Sequence, residues 1–250
     1  MLRILQARWR QKYRTIKFPG DKISLPEKFC GAPLIDAQKC SACRKCLDVC
    51  PVEALDLAEK KPCLDLGRCI FCGACAQACG MGAITFSRDH RLAVRDKNDL
   101  VLSSGGIKLA AALKKESLRL FGRSLRLRQV SAGGCNACEL DTNVLSTIVF
   151  DLARFGVQFV ASPRHADGLL ITGPVTENMR LALQKTYQAV ASPKIVLALG
   201  ACACSGGLYR GHPQVHNGAS FQVPVDLYIP GCPPHPLTIL DGILRLLNRV

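Results

Sequence analysis

Nine of the fifteen cysteines crowd between positions 40 and 79, and eight of them repeat one spacing. Cys40, Cys43, Cys46 and Cys50 follow a C-x2-C-x2-C-x3-C pattern, and Cys69, Cys72, Cys75 and Cys79 repeat it 29 residues later. Thiolates spaced this way are ligands for iron-sulfur clusters. The x2 steps wrap three sulfurs round one cluster, and the x3 step carries the fourth toward its neighbour. The expected assignment therefore crosses over. Cys40, Cys43, Cys46 and Cys79 would hold one [4Fe-4S] cluster, and Cys69, Cys72, Cys75 and Cys50 a second. Structural zinc is the plainer alternative, but zinc sites bring separated Cys or His pairs, and no pair here stands apart from a third cysteine. Cys30 and Cys63 lie outside both runs and read as small buried hydrophobes.

Four further cysteines depend on the elements that would carry them. From Leu125 onward, short apolar runs predict strands over 125–130, 157–160, 168–172, 194–199 and 224–229, alternating with helices over 139–154, 176–190 and 236–248. That alternation describes an open α/β sheet, in which ligands sit outside the carboxyl ends of the strands. Cys135 and Cys138 follow the first strand, Cys202 follows Leu199, and Cys232 follows Ile229. Converging there, they would hold a third [4Fe-4S] cluster, with glycines at 133, 134, 200 and 231 letting the backbone approach closely. A lone C-x2-C also fits a thioredoxin-like redox pair. Cys204 could substitute for Cys202, which is favoured because Gly200-Ala-Cys202 stands closest to the strand end. Neither G-x-G-x-x-G nor a P-loop is present, so no nucleotide or flavin site is indicated. His212 and His216 are four apart, but Pro213 places them in a loop; His90 and His235 read as structural, and no residue is assigned a catalytic role.

The chain of 250 residues, 48% hydrophobic, can bury one ordinary core beside a small domain. Cysteines in metal spacing, with no signal peptide, point to a reducing cytoplasm. The longest apolar stretches, such as Ile195 to Ala201, fall far short of the roughly 20 residues of a spanning helix. The net charge of +14 is concentrated: residues 1–17 hold six basic side chains and no acid, and residues 108–128 hold seven basic and one acidic. A broad nucleic-acid face is excluded by that placement.

In the first segment Leu2, Leu5, Trp9, Tyr13 and Ile16 recur at helical spacing among Arg3, Arg8, Arg10, Lys12, Arg14 and Lys17. Such a helix suits an anionic membrane surface or an acidic subunit; a frayed arm is the bland reading. Ser103 to Gly106 reads as a linker and 107–121 as a basic helix with Leu109, Leu113 and Leu120 on one side. Lys45, Asp65 and Arg68 read as solvated. The expected organisation is an arm at 1–28, a two-cluster ferredoxin-like α+β domain at 29–102, a linker and basic helix at 103–124, and an open parallel-sheet, flavodoxin-like α/β domain at 125–250.

Gly133-Gly-Cys-Asn-Ala-Cys-Glu139, Ser162-Pro-Arg-His-Ala-Asp167 with Thr172-Gly-Pro-Val-Thr176, Gly200-Ala-Cys202, and Pro224-Val-Asp-Leu-Tyr-Ile-Pro-Gly-Cys-Pro-Pro234 together carry a resemblance. They resemble the small subunit of membrane-bound group 4 [NiFe] hydrogenases, as in formate hydrogenlyase, whose fold also serves in respiratory complex I. Residues 29–100, including Cys69-Ile-Phe-Cys-Gly73, resemble the partner polyferredoxin, so the chain looks like a fusion of two neighbouring subunits. Complex I subunits of this type carry adjacent cysteines, whereas Cys135, Cys138 and Glu139 match the hydrogenase pattern. The resemblance implies that Cys135, Cys138, Cys202 and Cys232 ligate a proximal cluster beside a nickel-iron centre on a separate large subunit. It further implies three [4Fe-4S] clusters in series, membrane-arm partners, a peripheral place on the cytoplasmic side of the membrane, and no nucleic-acid partner. The upstream donor would be formate dehydrogenase, carbon monoxide dehydrogenase or soluble ferredoxin. A complex I-like or ferredoxin-coupled oxidoreductase without nickel is the competing reading; a stand-alone iron-sulfur carrier or sensor fits the small-subunit motifs poorly.

Overall fold

The computed structural model describes residues 2–20, 23–58, 61–103 and 105–250, so Ser104 of the expected linker lies outside the described residues. Helix α1 (Leu2–Gln11) comes first, with every side chain exposed. The cluster-motif region then forms small antiparallel pairs. Strand β1 (Pro33–Ile35) pairs with β4 (Ile84–Phe86), and β2 (Leu55–Ala58) pairs with β3 (Lys61–Asp65), which also takes β5 (Val101–Leu102). Short helices α2 (Lys45–Asp48) and α3 (Ala74–Ala78) carry the third cysteine of each run.

The repeat at 29 residues extends to backbone strain. Ala42 and Phe71 sit at φ 55° and 56°, and Arg44 and Gly73 at φ 65° and 74°. A left-handed conformation costs a non-glycine residue about 1 kcal/mol or more. Both halves accept that cost at the same places because the chain must turn sharply there to aim successive sulfurs inward.

The remainder is built on a parallel sheet. After α4 (Lys115–Phe121) come β6 (Leu125–Ser131), α5 (Ala137–Val144), β7 (Val157–Phe159), β8 (Gly168–Thr172), α6 (Glu177–Ala189), β9 (Ile195–Leu199), α7 (Gly200–Ser205), β10 (Leu227–Ile229) and α8 (Pro236–Leu246). The strands are ordered β7-β6-β8-β9-β10, all parallel, which is the flavodoxin-like order 2-1-3-4-5 expected for this fold class. Every residue of β8 and β9 is buried, as continuous apolar strands covered on both faces must be. Helix α8 is buried on all sides, with every residue but Arg245 enclosed; its single buried acid, Asp241, accepts from Arg245 Nε at 2.7 Å.

Three elements and one pair of side chains depart from the sequence expectation; the strand expected over 224–229 is shortened to Leu227–Ile229. The helix expected over 139–154 stops at Val144, where Thr147 Oγ1 donates back to Val144 O and offers the backbone an alternative to the helix. The basic helix shrinks to Lys115–Phe121, because Ala110 N and Leu113 N are committed to Ala93 O and Leu246 O instead. Asp65 and Arg68, expected to be solvated, are partly buried and face each other at 3.7 Å; Arg68 Nη1 also donates to Glu53 O. Lys45 is exposed as expected.

The two halves share one apolar cluster, in which Leu64, Leu66 and Leu100 meet Leu169, Ile171 and Cys204. An antiparallel bridge between Val94 and Tyr228 covers the outer edge of β10, blunting an otherwise open strand. Lys97 Nζ donates to Ser220 Oγ at 3.1 Å across the same boundary.

Candidate iron-sulfur sites

All fifteen cysteines are free thiols, and twelve of them line three cavities. Cys40, Cys43, Cys46 and Cys79 stand round the first, with Leu57, Ile84 and the cations of Lys39, Arg44 and Lys45. Cys50, Cys69, Cys72 and Cys75 stand round the second, whose other walls, including Val52, Leu64 and Phe86, carry no charge. Each run thus lends one thiol to the other's cavity.

Local geometry holds the sulfurs in both halves alike. Backbone N–H groups of Ala42 and Phe71 donate to Cys40 Sγ and Cys69 Sγ at 3.4 and 3.3 Å. Ala54 and Ala83 donate to Cys50 Sγ and Cys79 Sγ, both at 3.3 Å. Such bonds favour the thiolate over the thiol. Burial opposes them. It pushes Cys69 up to about 12, with Cys75, Cys50 and Cys72 adding repulsion, and Cys75 up to about 11. Cys46 is raised by burial and then by Cys79, Cys40 and Cys43.

The third cavity lies at the carboxyl ends of β6, β8, β9 and β10, beside the point where the strand order reverses. Cys135 and Cys138 come from the loop after β6 and the start of α5, Cys202 from α7, and Cys232 from the turn after β10. Burial first, then Cys202, Glu139, Cys232 and Cys135, pushes the Cys138 thiol far up; Cys202 rises to about 11 by burial, Cys232 and Cys135. Gly200 is required here. Its φ is +87°, and an added Cβ would lie 2.6 Å from Cys138 Sγ.

Cys204 is absent from this cavity. Fully buried, it points back toward Ala198 O at 3.8 Å and packs against the turn at Gly67. Cys30 lies beside Gly73 and Cys63 sits half-buried in β3; neither lines a cavity with other cysteines. His216 pairs with Glu177 at 2.5 Å, His212 accepts from Gln214 N, and His235 caps α8 by accepting from Leu237 N. His90 is half-buried, with its enclosed Nε2 unpartnered.

Two residues near these sites have surroundings that the sequence reading does not foresee: Glu139, noted only as part of a motif, and Ser205. Glu139 is 6% exposed and borders the third cavity, its Oε1 held by Thr172 Oγ1 at 2.6 Å. Ser205 is 8% exposed and donates to Gly67 O at 2.7 Å. An acid following a C-x2-C was the only signal for the first; nothing local marks the second.

The donor sets fit iron-sulfur clusters. Each is all-sulfur, which suits a soft metal centre. Each set of four thiols lines one shared cavity. Crowded thiols with raised pKa values need a cationic centre to ionise together, and backbone N–H groups already point at four of the sulfurs.

Fold and sites define an iron-sulfur protein with a ferredoxin-like segment joined to an open α/β domain. The chain belongs to the family of the NADH ubiquinone oxidoreductase 20 kDa subunit, matched over residues 135–246; residues 39–83 match the 4Fe-4S dicluster domain. It is 40% identical over 157 residues to formate hydrogenlyase subunit 7 of Escherichia coli, covering 63% of this chain and 62% of that one. It is 39% identical over 132 residues to a probable membrane-bound hydrogenase subunit, mbhJ, of Pyrococcus furiosus, covering 53% of this chain and 79% of that one. To an NADH-quinone oxidoreductase subunit of Heliobacterium modesticaldum it is 36% identical over 161 residues, covering 62% of this chain and 91% of that one.

Proposed function

We propose that this chain is the electron-transfer subunit of a membrane-bound [NiFe] hydrogenase, peripheral on the cytoplasmic side, with the nickel-iron centre on a separate large subunit. Three [4Fe-4S] clusters would be held by Cys40, Cys43, Cys46 and Cys79, by Cys50, Cys69, Cys72 and Cys75, and by Cys135, Cys138, Cys202 and Cys232. When bound, such clusters supply one-electron relay stations between an upstream donor and the hydrogen-turnover centre.

The protein's own part is placement and tuning. The observation that carries the reading is the third cavity: four thiols from three separate strand ends line one space, and Cys135 and Cys232 are exposed at its mouth, where a large subunit would meet it. Lys39, Arg44 and Lys45 at the first cavity stabilise added negative charge there, while the second is walled by apolar groups. The division into a ferredoxin part at 29–102 and a small-subunit part at 125–250 belongs to the same proposal.

Iron analysis with low-temperature EPR on anaerobically prepared protein tests the count. About twelve irons are expected, and about eight would remove the third site. The family match and the Heliobacterium relative favour a second reading, a complex I-like oxidoreductase without nickel. Nickel in the purified assembly supports the first reading; its absence from an active assembly supports the second.

A further inference from the structure

We infer that α1, together with Ile148, is a lipid-contact surface that seats this chain on an anionic membrane. Leu2, Leu5 and Trp9 lie at i, i+3 and i+7, which puts them on one stripe of the helix. At 100° per residue Arg8 falls on one side of that stripe and Arg3 and Arg10 on the other. Trp9 is 86% exposed, and no acid occurs before Asp21. Nothing in the described chain covers the stripe.

The helix is held at its base. Ile16 N donates to Val149 O at 2.9 Å, Thr15 Oγ1 to Ile148 O at 2.8 Å, and Arg154 Nη2 to Ile16 O at 2.7 Å. Arg8 lies over the Tyr13 ring at 4.5 Å and donates to Lys12 O, stiffening the connection between base and helix. This anchoring is what a frayed arm would lack. Ile148, 70% exposed, projects from the loop that receives the base and adds a second apolar point.

Charge and shape together select lipid. A narrow apolar stripe with Trp, bordered by arginines long enough to reach outward along their stems, matches the boundary between acyl chains and anionic headgroups. No helix among the described residues is long and apolar enough to cross a membrane, so contact of this kind is interfacial. The inference is independent of the cofactor reading, since no cysteine precedes Cys30.

Trp9 is the only tryptophan in the chain, so its emission reports the site directly. Full-length protein with verified iron content is mixed with vesicles of phosphatidylcholine alone or with added phosphatidylglycerol. Expected are a blue-shifted emission and flotation with the anionic vesicles only, both weakened by salt. Replacing Leu2→Asp and Leu5→Asp should lower the vesicle-bound fraction at least about tenfold without changing iron content or far-UV circular dichroism. Unshifted emission on anionic vesicles would overturn the inference, as would flotation that survives the double replacement. A shift on adding the assembly's other subunits without lipid would reassign the stripe to a protein contact.

Discussion

Replacing Ser205→Ala removes the hydrogen bond by which α7 grips the ferredoxin-like half. Ser205 Oγ lies 2.7 Å from Gly67 O and 3.2 Å from Ala201 O. A hydroxyl has one proton, and the shorter contact takes it. No other donor reaches Gly67 O among the described residues, and Gly67 is buried in the turn that Asp65 Oδ1 closes by accepting Gly67 N at 2.8 Å. In the variant that carbonyl is left dry and unpaired, which costs about 1–3 kcal/mol, or roughly a 5- to 150-fold increase in local opening. Hydrogen exchange followed by mass spectrometry should show it in peptides spanning 64–70 and 200–207, with α8 unaffected. Gly67→Ala attacks the same contact from the other side, since its Cβ would fall 2.9 Å from Leu100 Cδ1 and 3.6 Å from Cys204 Cβ; it should loosen the same peptides. Protection unchanged within about twofold in 64–70 would refute the assignment, and equal loosening of α8 would show a global effect instead.

Cys202→Ala should cost one cluster's iron and leave the ferredoxin-type EPR signals, whereas Cys204→Ala should keep the full iron content, because its thiol faces Ala198 O and not the cavity; iron analysis of the two variants side by side decides this. Gly200→Ala should also lose the third cluster, since the new Cβ has no room beside Cys138 Sγ and φ +87° strains it; retained iron in a folded variant would contradict that. Burial holds His90 below its ordinary pKa, partly countered by Asp241 and Asp89, so the fold favours its neutral ring. The unfolded chain takes up that proton below about pH 6.5, so the stability tied to a neutral His90 is complete above that pH and declines below it. His90→Phe should therefore show a smaller fall in melting temperature between about pH 7.5 and pH 5.5 than the parent.

How much could be read beforehand follows from how local each signal is. The side chains lining the first two cavities are legible because every one of their cysteines lies within a single 40-residue run, and its repeat prints the pseudo-symmetry directly. The parallel sheet is legible because β8 and β9 are unbroken apolar runs that no amphipathic surface element would show. Helix limits were less so. At Val144 the helix ends because a threonine side chain competes for a carbonyl, and at Ile107 to Lys114 because distant carbonyls of Ala93 and Leu246 claim the amides. Arg68 misleads for a similar reason: its partner is the carbonyl of Glu53, which no pattern of charges in sequence reveals.

The choice between Cys202 and Cys204 exposes the same limit and what lies behind it. Both sit on α7, two residues apart on a short helix, so they must face different sides of it. One side lines the third cavity; the other packs against the turn at Gly67, two residues before Cys69 of the second cavity. Cys204 is therefore buried not as a spare ligand but as packing between two thiol-lined sites, with Ser205 beside it making the hydrogen bond. That contact ties the second site to the third: α7 carries Cys202 of the third cavity and grips the turn that leads into Cys69 of the second. On the proposed function this junction matters, since a loose joint there would vary the separation between the second and third sites. A linker alone would supply nearness without a fixed geometry; here a buried, specific hydrogen bond holds the two segments together as well.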